Sequence, residues 1–230
     1  MAFFQTDAAL FAVAREKLCT CGIGDVMDAL GFQRQFLPPQ IRPLRPDMII
    51  IGRAMPALSV DVFADELIGS ANALMQEPYG LMLQAVDDLH QHEIFLNTGS
   101  SPRSALWGEM MSIRAQQRGA AGAVLNGYVR DTKRLAKLGF PTFSFGSYGQ
   151  DCRPRQKVVD FRVPIEIGCA EIRPGDILFG DTDGVCVIPS EAKDEVFRLA
   201  LEQLVSKREL RRDLKMGASA VSAFEKYRTL

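Results

Sequence analysis

The stretch Glu93–Phe145, EIFLNTGSSPRSALWGEMMSIRAQQRGAAGAVLNGYVRDTKRLAKLGFPTFSF, decides the fold class. Three short apolar runs alternate in it with two segments of helical character, the first of which is closed by Gly119. The predicted strands are Glu93–Asn97, Ala123–Leu125 and Pro141–Phe145, and the predicted helices are Glu109–Arg118 and a shorter one ending at Gly139. Strands and helices that alternate in this way are typical of an α/β layer with parallel strands.

The rest of the chain adds helices and short strands on both sides of this layer. Before the layer, the predicted elements are helices at Asp7–Leu18 and Asp25–Gly31, a loop over residues 33–47, a strand from Met48, and a mostly helical Leu67–Leu89 with a break at Pro78–Gly80. After the layer, strands are predicted at Lys157–Phe161, Val163–Ile167, Ile177–Phe179 and Val185–Ile188. A helical segment capped by Ser190 follows, with a break at Gly217. We therefore expect one domain over residues 1–230, whose residues 190–230 form a C-terminal helical arm that packs on a neighbouring subunit.

Composition and charge exclude several classes of protein. The chain has 230 residues, 47% of them hydrophobic, and 27 Lys+Arg nearly balance 28 Asp+Glu to a net charge of -1. Balanced charge argues against nucleic acid as a partner, since phosphate binding needs a basic excess. No apolar stretch approaches the ~20 residues that cross a membrane, and no signal peptide is recognisable, so we expect a cytoplasmic protein with no membrane partner.

The histidines and cysteines limit the metal chemistry. With only 2 His, a three-histidine zinc site within one chain is impossible. A metal would therefore be held by carboxylates and water, which suits Mg²⁺ or Mn²⁺. Five cysteines without a CxxC pattern indicate reduced thiols, and a redox or metal role for Cys19 and Cys21 is the less favoured alternative.

Two short motifs could bind an anionic ligand. Gly108-Glu-Met-Met111 places a glycine at the head of a predicted helix, where free N–H groups and the positive helix end favour an anion; the alternative is a glycine cap that binds nothing. Arg130-Asp131 follows a buried strand, at the end where ligands bind in α/β sheets. Arg130 can hold a carboxylate with two parallel hydrogen bonds. Asp131 either caps the next helix, Thr132–Leu138, or directs a hard divalent cation to the site.

Together the two motifs describe a site for a 2-oxo acid. An anion at the Gly108 helix, held also by Arg130, would lie next to a metal beside Asp131. Such a metal would polarise the 2-oxo group and stabilise an enolate.

Several motifs, in the right order along the chain, resemble the RraA-like family, which includes the 4-hydroxy-4-methyl-2-oxoglutarate and 4-carboxy-4-hydroxy-2-oxoadipate aldolases. The similarity runs from about residue 18 to the end of the chain and is carried by Gly24–Gly31, Ala105–Met111, Arg118–Asp131, Leu138–Pro141, Arg173–Asp176 and Asp181–Pro189. The resemblance implies an α/β/β sandwich of the swivelling type, which assembles as trimers or hexamers with sites between subunits.

The resemblance also implies an activity. The aldolases use a divalent metal, usually Mg²⁺, to cleave 4-hydroxy-2-oxo diacids to pyruvate and a second oxo acid, and they decarboxylate oxaloacetate through the same enolate. Carried over to this chain, the groups that hold the pyruvoyl carboxylate are the Arg130 side chain and the backbone of Gly108, Glu109, Met110 and Met111. Asp131 anchors the metal, so Arg130 and Asp131 are the expected catalytic pair. A metal-polarised water or Glu209 is the expected base.

Two positions depart from the pattern of the aldolases. The aldolases carry an acid three residues after the metal aspartate, where this chain has Arg134, and a glutamate from a neighbour's arm, where it has Lys207. A positive charge near a bound Mg²⁺ is unfavourable unless it points away. We predict a metal-dependent lyase acting on a small 2-oxo diacid. The alternative is a non-catalytic relative that binds and regulates a partner such as a ribonuclease.

Three other segments are weaker candidates. His90-x-His92-Glu93 could present two imidazoles to a metal, although surface histidines are commoner. The polar loop Tyr148–Arg153, with Arg155, suits the rim of a site or an ordinary surface. Asp181–Gly184 superficially resembles a Ca²⁺ loop but lacks the later glutamate, which favours a turn.

Overall fold

The computed structural model of the protein describes residues 4–63 and 71–227. The α-helices are α1 (Asp7–Lys17), α2 (Thr20–Ala29), α3 (Met82–Asp87), α4 (Glu109–Gln117), α5 (Thr132–Leu138), α6 (Lys193–Lys215) and α7 (Ala220–Tyr227). The strands are β1 (Arg42–Pro43), β2 (Ile50–Asp61), β3 (Glu93–Thr98), β4 (Ala105–Trp107), β5 (Gly122–Leu125), β6 (Tyr128–Val129), β7 (Thr142–Ser144), β8 (Gln156–Phe161), β9 (Ile165–Ile167), β10 (Ala170–Ile172), β11 (Ile177–Asp181) and β12 (Gly184–Ile188). Short 3₁₀ turns lie at Ala73–Gln76 and Ser190–Ala192.

Strand β2 organises the main sheet. The strands follow the order β1-β7-β5-β3-β2-β11-β12, and β8 also pairs with β2. The neighbours β2, β3, β5 and β7 are parallel, as the alternation of strands and helices predicts. On the other edge of β2, β11 pairs with residues 50–53 and β8 with residues 57–61, both antiparallel. The register shifts between Leu58 and Ser59, in the half that β8 covers.

Both faces of the parallel strands are covered, which explains their continuous apolar runs. In β3, Ile94 and Leu96 belong to one core, whereas Phe95 belongs to the core on the opposite face. Helices α3, α4 and α5 pack over the face of Phe95, and the β9–β10 hairpin packs over the face of Ile94. One layer of helices and two of strands form the predicted α/β/β sandwich.

The N-terminal helices and the start of α6 form a third core against β11 and β12. Leu10, Ile23 and Phe197, from α1, α2 and α6, are buried there. The far end of the C-terminal arm is less buried than the start of α6, because Met216 and Val221 are 84% and 70% exposed. Its packing on a neighbouring subunit stays a prediction. None of the described helices combines the length and apolar character needed to cross a membrane.

Two predicted helix boundaries are wrong, and each has a local cause. Helix α2 begins at Thr20, ahead of Asp25, and the Thr20 N–H donates to Asp181 Oδ2 at 2.8 Å. This bond satisfies one of the free donors at the helix start. Ser190 does not cap α6, because residues 190–192 form a 3₁₀ turn and the N-cap of α6 is Ala192.

The segment Leu67–Leu89 is less helical than predicted. Its α-helix covers only Met82–Asp87, while residues 67–70 lie outside the described residues. Gly80, at φ 61°, bridges to Val158, and the Leu81 N–H donates to the Val158 carbonyl at 2.8 Å. These backbone bonds to β8 lie at the break predicted at Pro78–Gly80, which is confirmed, whereas the described residues ahead of it form only the 3₁₀ turn Ala73–Gln76.

The short strands β1, β4, β6 and β10 were not predicted. Each has only two or three residues, too few for a readable alternation of polar and apolar side chains. Two of them, β4 and β6, position the candidate active site.

Candidate active site

Two short parallel strands hold the candidate site together. Strand β4 pairs with β6, with Ala105 opposite Tyr128 and Trp107 opposite Val129. Gly108 and Arg130 follow directly, and the Arg130 N–H donates to the Trp107 carbonyl at 3.0 Å. This pairing brings the Gly108 motif beside the Arg130-Asp131 motif.

Trp107 fixes the start of helix α4. Its side chain is buried and stacks on Phe95, with 4.7 Å between the ring centroids. The indole N–H donates to Ser112 Oγ at 2.6 Å, and the Ser112 hydroxyl donates to the Gly108 carbonyl at 3.1 Å. Buried hydrogen bonds therefore tie the first turn of α4 to β4, so the free N–H groups of that turn have a fixed direction.

Gly108 leaves room for two neighbouring side chains. A Cβ at this position would lie 2.9 Å from Asp131 Oδ2 and 3.2 Å from Arg130 Cγ, closer than ordinary contact. The Gly108 backbone is extended, at φ -158°, a conformation that any residue can adopt. Glycine is needed here because a side chain would not fit. The absence of a side chain lets Arg130 and Asp131 approach the helix start.

Asp131 turns its side chain towards helix α4. Its backbone is left-handed, at φ 58°, a conformation that aspartate tolerates better than most residues. Its carboxylate makes no capping hydrogen bond to α5, and Oδ2 instead accepts from the Glu109 N–H at 3.3 Å. Asp131 is therefore the N-cap residue of α5 by position, as the capping interpretation predicts, but its side chain is directed to α4. An unusual backbone conformation of this kind is frequent at functional sites.

Arg130 lies between two carboxylates. Its Nη1 is 3.3 Å from Asp151 Oδ2, and its Nε is 3.8 Å from Asp131 Oδ2. Asp151 also accepts from the Tyr79 hydroxyl at 3.5 Å. Asp151 belongs to the polar loop Tyr148–Arg153, for which the sequence left open the rim of a site or an ordinary surface, and its contact with Arg130 favours the rim.

A cavity of about 370 Å³ opens at these residues. Arg130, Asp131 and Asp151 line one side, and the other walls are mostly apolar, with Leu83, Val86, Leu106, Met110 and Met111. Cys152 lines it as well, and burial, together with the nearby Asp151 carboxylate, raises the pKa of its thiol to about 12. The thiol therefore stays protonated at neutral pH. The cavity has the size of a small-molecule site, and the ion pair of Asp87 with Arg114 also lines it.

Arg134 and Lys207, the two departures from the aldolase pattern, both have acidic partners. Arg134 Nη1 lies 2.9 Å from Glu109 Oε2, and Lys207 Nζ lies 2.7 Å from Asp25 Oδ2. Within the described part of the chain, neither Arg134, Lys207 nor Glu209 lines the cavity. The charge of Arg134 is thus directed at Glu109 and not into the cavity.

The carboxylates of the site suit a cation that keeps most of its water. Among residues 4–63 and 71–227, no three His, Cys, Asp or Glu side chains converge as a metal cage. Mg²⁺ is commonly held by one or two carboxylates, with water and substrate oxygens in the remaining positions. Asp131, whose side chain is 38% exposed, can supply one such ligand. The donor set fits Mg²⁺ or Mn²⁺ and does not fit a structural zinc site.

The other sequence candidates make local contacts. His90 Nδ1 lies 2.8 Å from the Arg162 guanidinium, whereas the His92 ring packs edge-on against Phe11. Asp181 Oδ1 accepts from the Asp183 N–H at 2.9 Å, as in an ordinary turn.

Comparisons with known proteins define the class of this α/β/β fold. The crystal structure of Streptomyces coelicolor RraAS2, described as an unusual member of the RNase ES inhibitor RraA protein family, matches with a TM-score of 0.77. The match covers 90% of this chain and 99% of that chain at 18% identity, which is a likeness of fold. The sequence profile described as "RraA-like: Aldolase/RraA" matches residues 20–187. The chain therefore belongs to the RraA-like family.

Two other relatives have a higher sequence identity to this chain than RraAS2 has. A Halalkalibacterium halodurans protein named "Putative 4-hydroxy-4-methyl-2-oxoglutarate aldolase" is 27% identical over 205 residues, covering 89% of this chain and 88% of that protein. Protein DlpA of Legionella pneumophila is 26% identical over 216 residues. That match covers 92% of this chain but 33% of DlpA, so the chain spans about a third of the length of DlpA.

Proposed function

We propose that the protein is a divalent-metal-dependent lyase that acts on a small 2-oxo diacid. It would cleave a 4-hydroxy-2-oxo diacid to release pyruvate, and decarboxylate oxaloacetate. The supporting observation is that Gly108 and Met110 at the start of α4, the Arg130 guanidinium and the Asp131 carboxylate line one cavity together. These are the groups needed to hold a 2-oxo acid by its carboxylate and its oxo group. The name of the Halalkalibacterium relative supports the same class of reaction.

Each residue has its own task in this proposal. Arg130 binds the substrate carboxylate with two parallel hydrogen bonds, and the N–H groups at the start of α4 stabilise the same charge. Asp151 holds the guanidinium of Arg130 in place. The apolar wall that includes Met110 excludes water from the carbon chain of the substrate. Asp131 would hold Mg²⁺ or Mn²⁺, which polarises the 2-oxo group and stabilises the negative charge that develops on it.

The assembly belongs to the same proposal. We expect a cytoplasmic homotrimer or homohexamer in which the C-terminal arm reaches a neighbouring subunit, with no nucleic-acid or membrane partner. The exposed apolar side chains of Val205, Met216 and Val221 on the arm support such a contact. Sedimentation velocity of the purified protein tests it, and a monomer at micromolar concentration would contradict it.

Release of pyruvate tests the proposed reaction. The purified protein is supplied with oxaloacetate or with 4-hydroxy-2-oxo diacids, in Mg²⁺, Mn²⁺ or EDTA. We expect turnover that needs the metal. Arg130→Ala should raise KM at least tenfold, since a charge-assisted hydrogen bond contributes about 1.5–3 kcal/mol. Asp131→Ala should abolish the response to metal.

Arg45→Ala is the matched control, because Arg45 forms an exposed ion pair with Asp47 and does not line the cavity. It should leave turnover unchanged. If the wild type turned over equally fast in EDTA and in Mg²⁺, and Asp131→Ala turned over as fast as the wild type, the protein would not be metal-dependent.

A regulator that binds a protein partner is the second candidate. The observation that favours it is the pairing of Arg134 with Glu109 and of Lys207 with Asp25, at positions where the aldolases carry acids. Absence of turnover with every 2-oxo acid, together with one stoichiometric partner recovered from lysate, would favour this candidate over the lyase.

A further inference from the structure

Two cysteines at the start of helix α2 form a pair that the proposed lyase does not use. Cys19 is the N-cap of α2, and Cys21 lies in its first turn. Their Sγ atoms are 3.2 Å apart, and both residues are exposed. A disulfide needs its sulfurs about 2.05 Å apart, so a modest side-chain rotation brings these two within bonding distance. Of the other cysteines, Cys152 and Cys186 are buried and Cys169 is exposed.

The backbone that carries the two sulfurs is held from two sides. The Thr20 N–H, between the cysteines, donates to Asp181 Oδ2 at the end of β11. Lys207 of α6 forms a salt bridge with Asp25 of α2, with 2.7 Å between Nζ and Oδ2. Because the helix start is fixed, little conformational entropy remains to be lost when the sulfurs join.

A lysine ammonium lies near the pair. A Cβ at Gly22 would lie 3.4 Å from Cys19 Sγ and 3.8 Å from Lys207 Nζ, so both groups border the same glycine. Burial, followed by the hydrogen bond and the charge of Cys19, raises the pKa of Cys21 to about 11. Lys207 favours a thiolate at Cys21, and Asp25 opposes it. Lys207 is therefore the group that assists oxidation of the pair.

We propose that Cys19 and Cys21 form a reversible intramolecular disulfide, an oxidation site where α2 meets α6. The oxidant is a low-molecular-weight disulfide of the glutathione type. One of the two thiols, as its thiolate, attacks one sulfur of the oxidant, the disulfide bond of the oxidant breaks, and one thiol leaves. The second protein thiol then gives its proton to solvent and attacks the first protein sulfur, which releases the second thiol. Two protein thiols lose two electrons and two protons, and the external disulfide becomes two thiols.

A single tryptic peptide reports on the pair. Cleavage after Lys17 and Arg34 releases Leu18–Arg34, which holds both cysteines and no other. The full-length protein is equilibrated with oxidised and reduced glutathione, alkylated and digested with trypsin. The mass of the peptide is then measured by mass spectrometry. In the wild type we expect this peptide to lose two hydrogens and to escape alkylation, and excess reduced glutathione should reverse the change.

Three variants make the test specific. Cys169→Ser, which removes an exposed thiol elsewhere, should behave as the wild type. Cys19→Ser keeps a good N-cap and should leave Cys21 alkylated or joined to glutathione. Lys207→Met removes the ammonium that favours a thiolate at Cys21 and should slow oxidation about threefold, the size of one partly exposed charge interaction. Full alkylation of both cysteines in the oxidised wild type, or a glutathione adduct without the internal disulfide, would overturn the proposal.

Discussion

At the level of single residues, Gly108, Arg130 and Asp131 depend on one another. The missing side chain of Gly108 creates the space that the other two side chains occupy. The Asp131 carboxylate uses that space to accept from the Glu109 N–H. A change at any of the three therefore displaces the other two.

Gly108→Ala should weaken ligand binding with little loss of stability. Its Cβ would lie 2.9 Å from Asp131 Oδ2, so the carboxylate must move, while the extended backbone accepts alanine without strain. We expect the Kd for oxalate, an enolate mimic, to rise about tenfold in Mg²⁺, which is a loss of about 1.4 kcal/mol. Isothermal titration calorimetry measures it. Gly149→Ala, where a Cβ meets nothing within 4 Å, is the control. An unchanged Kd in Gly108→Ala would contradict the packing argument.

Asp151→Asn should raise KM more than it lowers kcat. Asp151 acts through Arg130 as a positioning residue, and its loss frees the guanidinium that we assign to the substrate carboxylate. The pair is partly exposed, so we expect a rise in KM of about fivefold, close to 1 kcal/mol. Steady-state kinetics separate the two constants. Asp47→Asn, in an exposed pair with Arg45, is the control. A fall in kcat at constant KM would assign Asp151 a different role.

The sequence identified Gly108 and Arg130 as site residues but left the role of Asp151 open, for a physical reason. Gly108 and Arg130 border elements with readable patterns, a helix start and a buried strand. Asp151 reaches Arg130 through the bridge between Ala105 and Asp151, a contact between distant parts of the chain that no local pattern reveals. The functional roles of Arg130 and Asp131 stay predictions until kinetics test them.

At the level of elements, β4, β6 and α4 form one unit. The pairing of β4 with β6 sets the distance between the two motifs, and the buried contacts of Trp107 set the direction of α4. The ligand-binding groups are thus carried by regular elements, which hold them more precisely than loops do.

Ser112→Ala tests this unit. It removes the acceptor of the buried Trp107 N–H, and a buried donor left unsatisfied costs about 1–3 kcal/mol. We expect a lower urea midpoint and, since the chain has 1 Trp, a change in its fluorescence emission that reports on this position alone. Ser222→Ala on the exposed face of α7 should change neither. An unaltered midpoint and emission in Ser112→Ala would mean that the hydrogen bond does not anchor the helix.

The elements that the sequence predicted well are those whose own side chains determine them. Helix α4 and strands β3 and β5 have strong patterns of their own, and they form where predicted. In the segment Leu67–Leu89, the predicted break at Pro78–Gly80 is where Gly80 and Leu81 bond to Val158 of β8. Ahead of this break the described residues are less helical than predicted and form only the 3₁₀ turn Ala73–Gln76.

At the level of the whole molecule, a cluster around Arg162 joins β8 to β3 and to the end of α3. Arg162 has a left-handed backbone, at φ 56°, and donates to the carboxylates of Glu93 and Asp88. Burial alone would raise the pKa of Glu93. The hydrogen bonds from Arg162 and from the His90 N–H outweigh burial and hold the pKa of Glu93 below its usual 4.5.

This cluster predicts a loss of stability in acid. Because the pKa of Glu93 is lower in the folded state, its contribution is complete above pH 4.5 and is lost as the pH falls through the folded value. We expect the free energy of unfolding, measured in urea across a pH series, to decrease below pH 4.5. Glu93→Gln should flatten that decrease, and Glu171→Gln, in an exposed pair with Arg173, should not. If the free energy of unfolding decreased equally below pH 4.5 in the two variants, Glu93 would not be the group responsible.

The parallel α/β layer was predictable because strands and helices alternate along the chain, whereas the second layer of strands was implied by the resemblance to the RraA-like family. The contact of the C-terminal arm with a neighbouring subunit cannot be predicted in the same way. Exposed side chains such as Met216 and Val221 show that apolar surface is available. Which surface of a second copy meets it depends on a partner that one chain does not contain.

Strand β2 is synthesised early, but its edges are covered late. It spans Ile50–Asp61, whereas its partners β3, β8 and β11 begin at Glu93, Gln156 and Ile177. Contacts between such distant segments form slowly, and an unpaired apolar strand is a template for pairing with another chain. While the ribosome completes the chain, β2 is therefore the segment most exposed to aggregation. Dilution or a chaperone that shields this strand should raise the yield of folded protein.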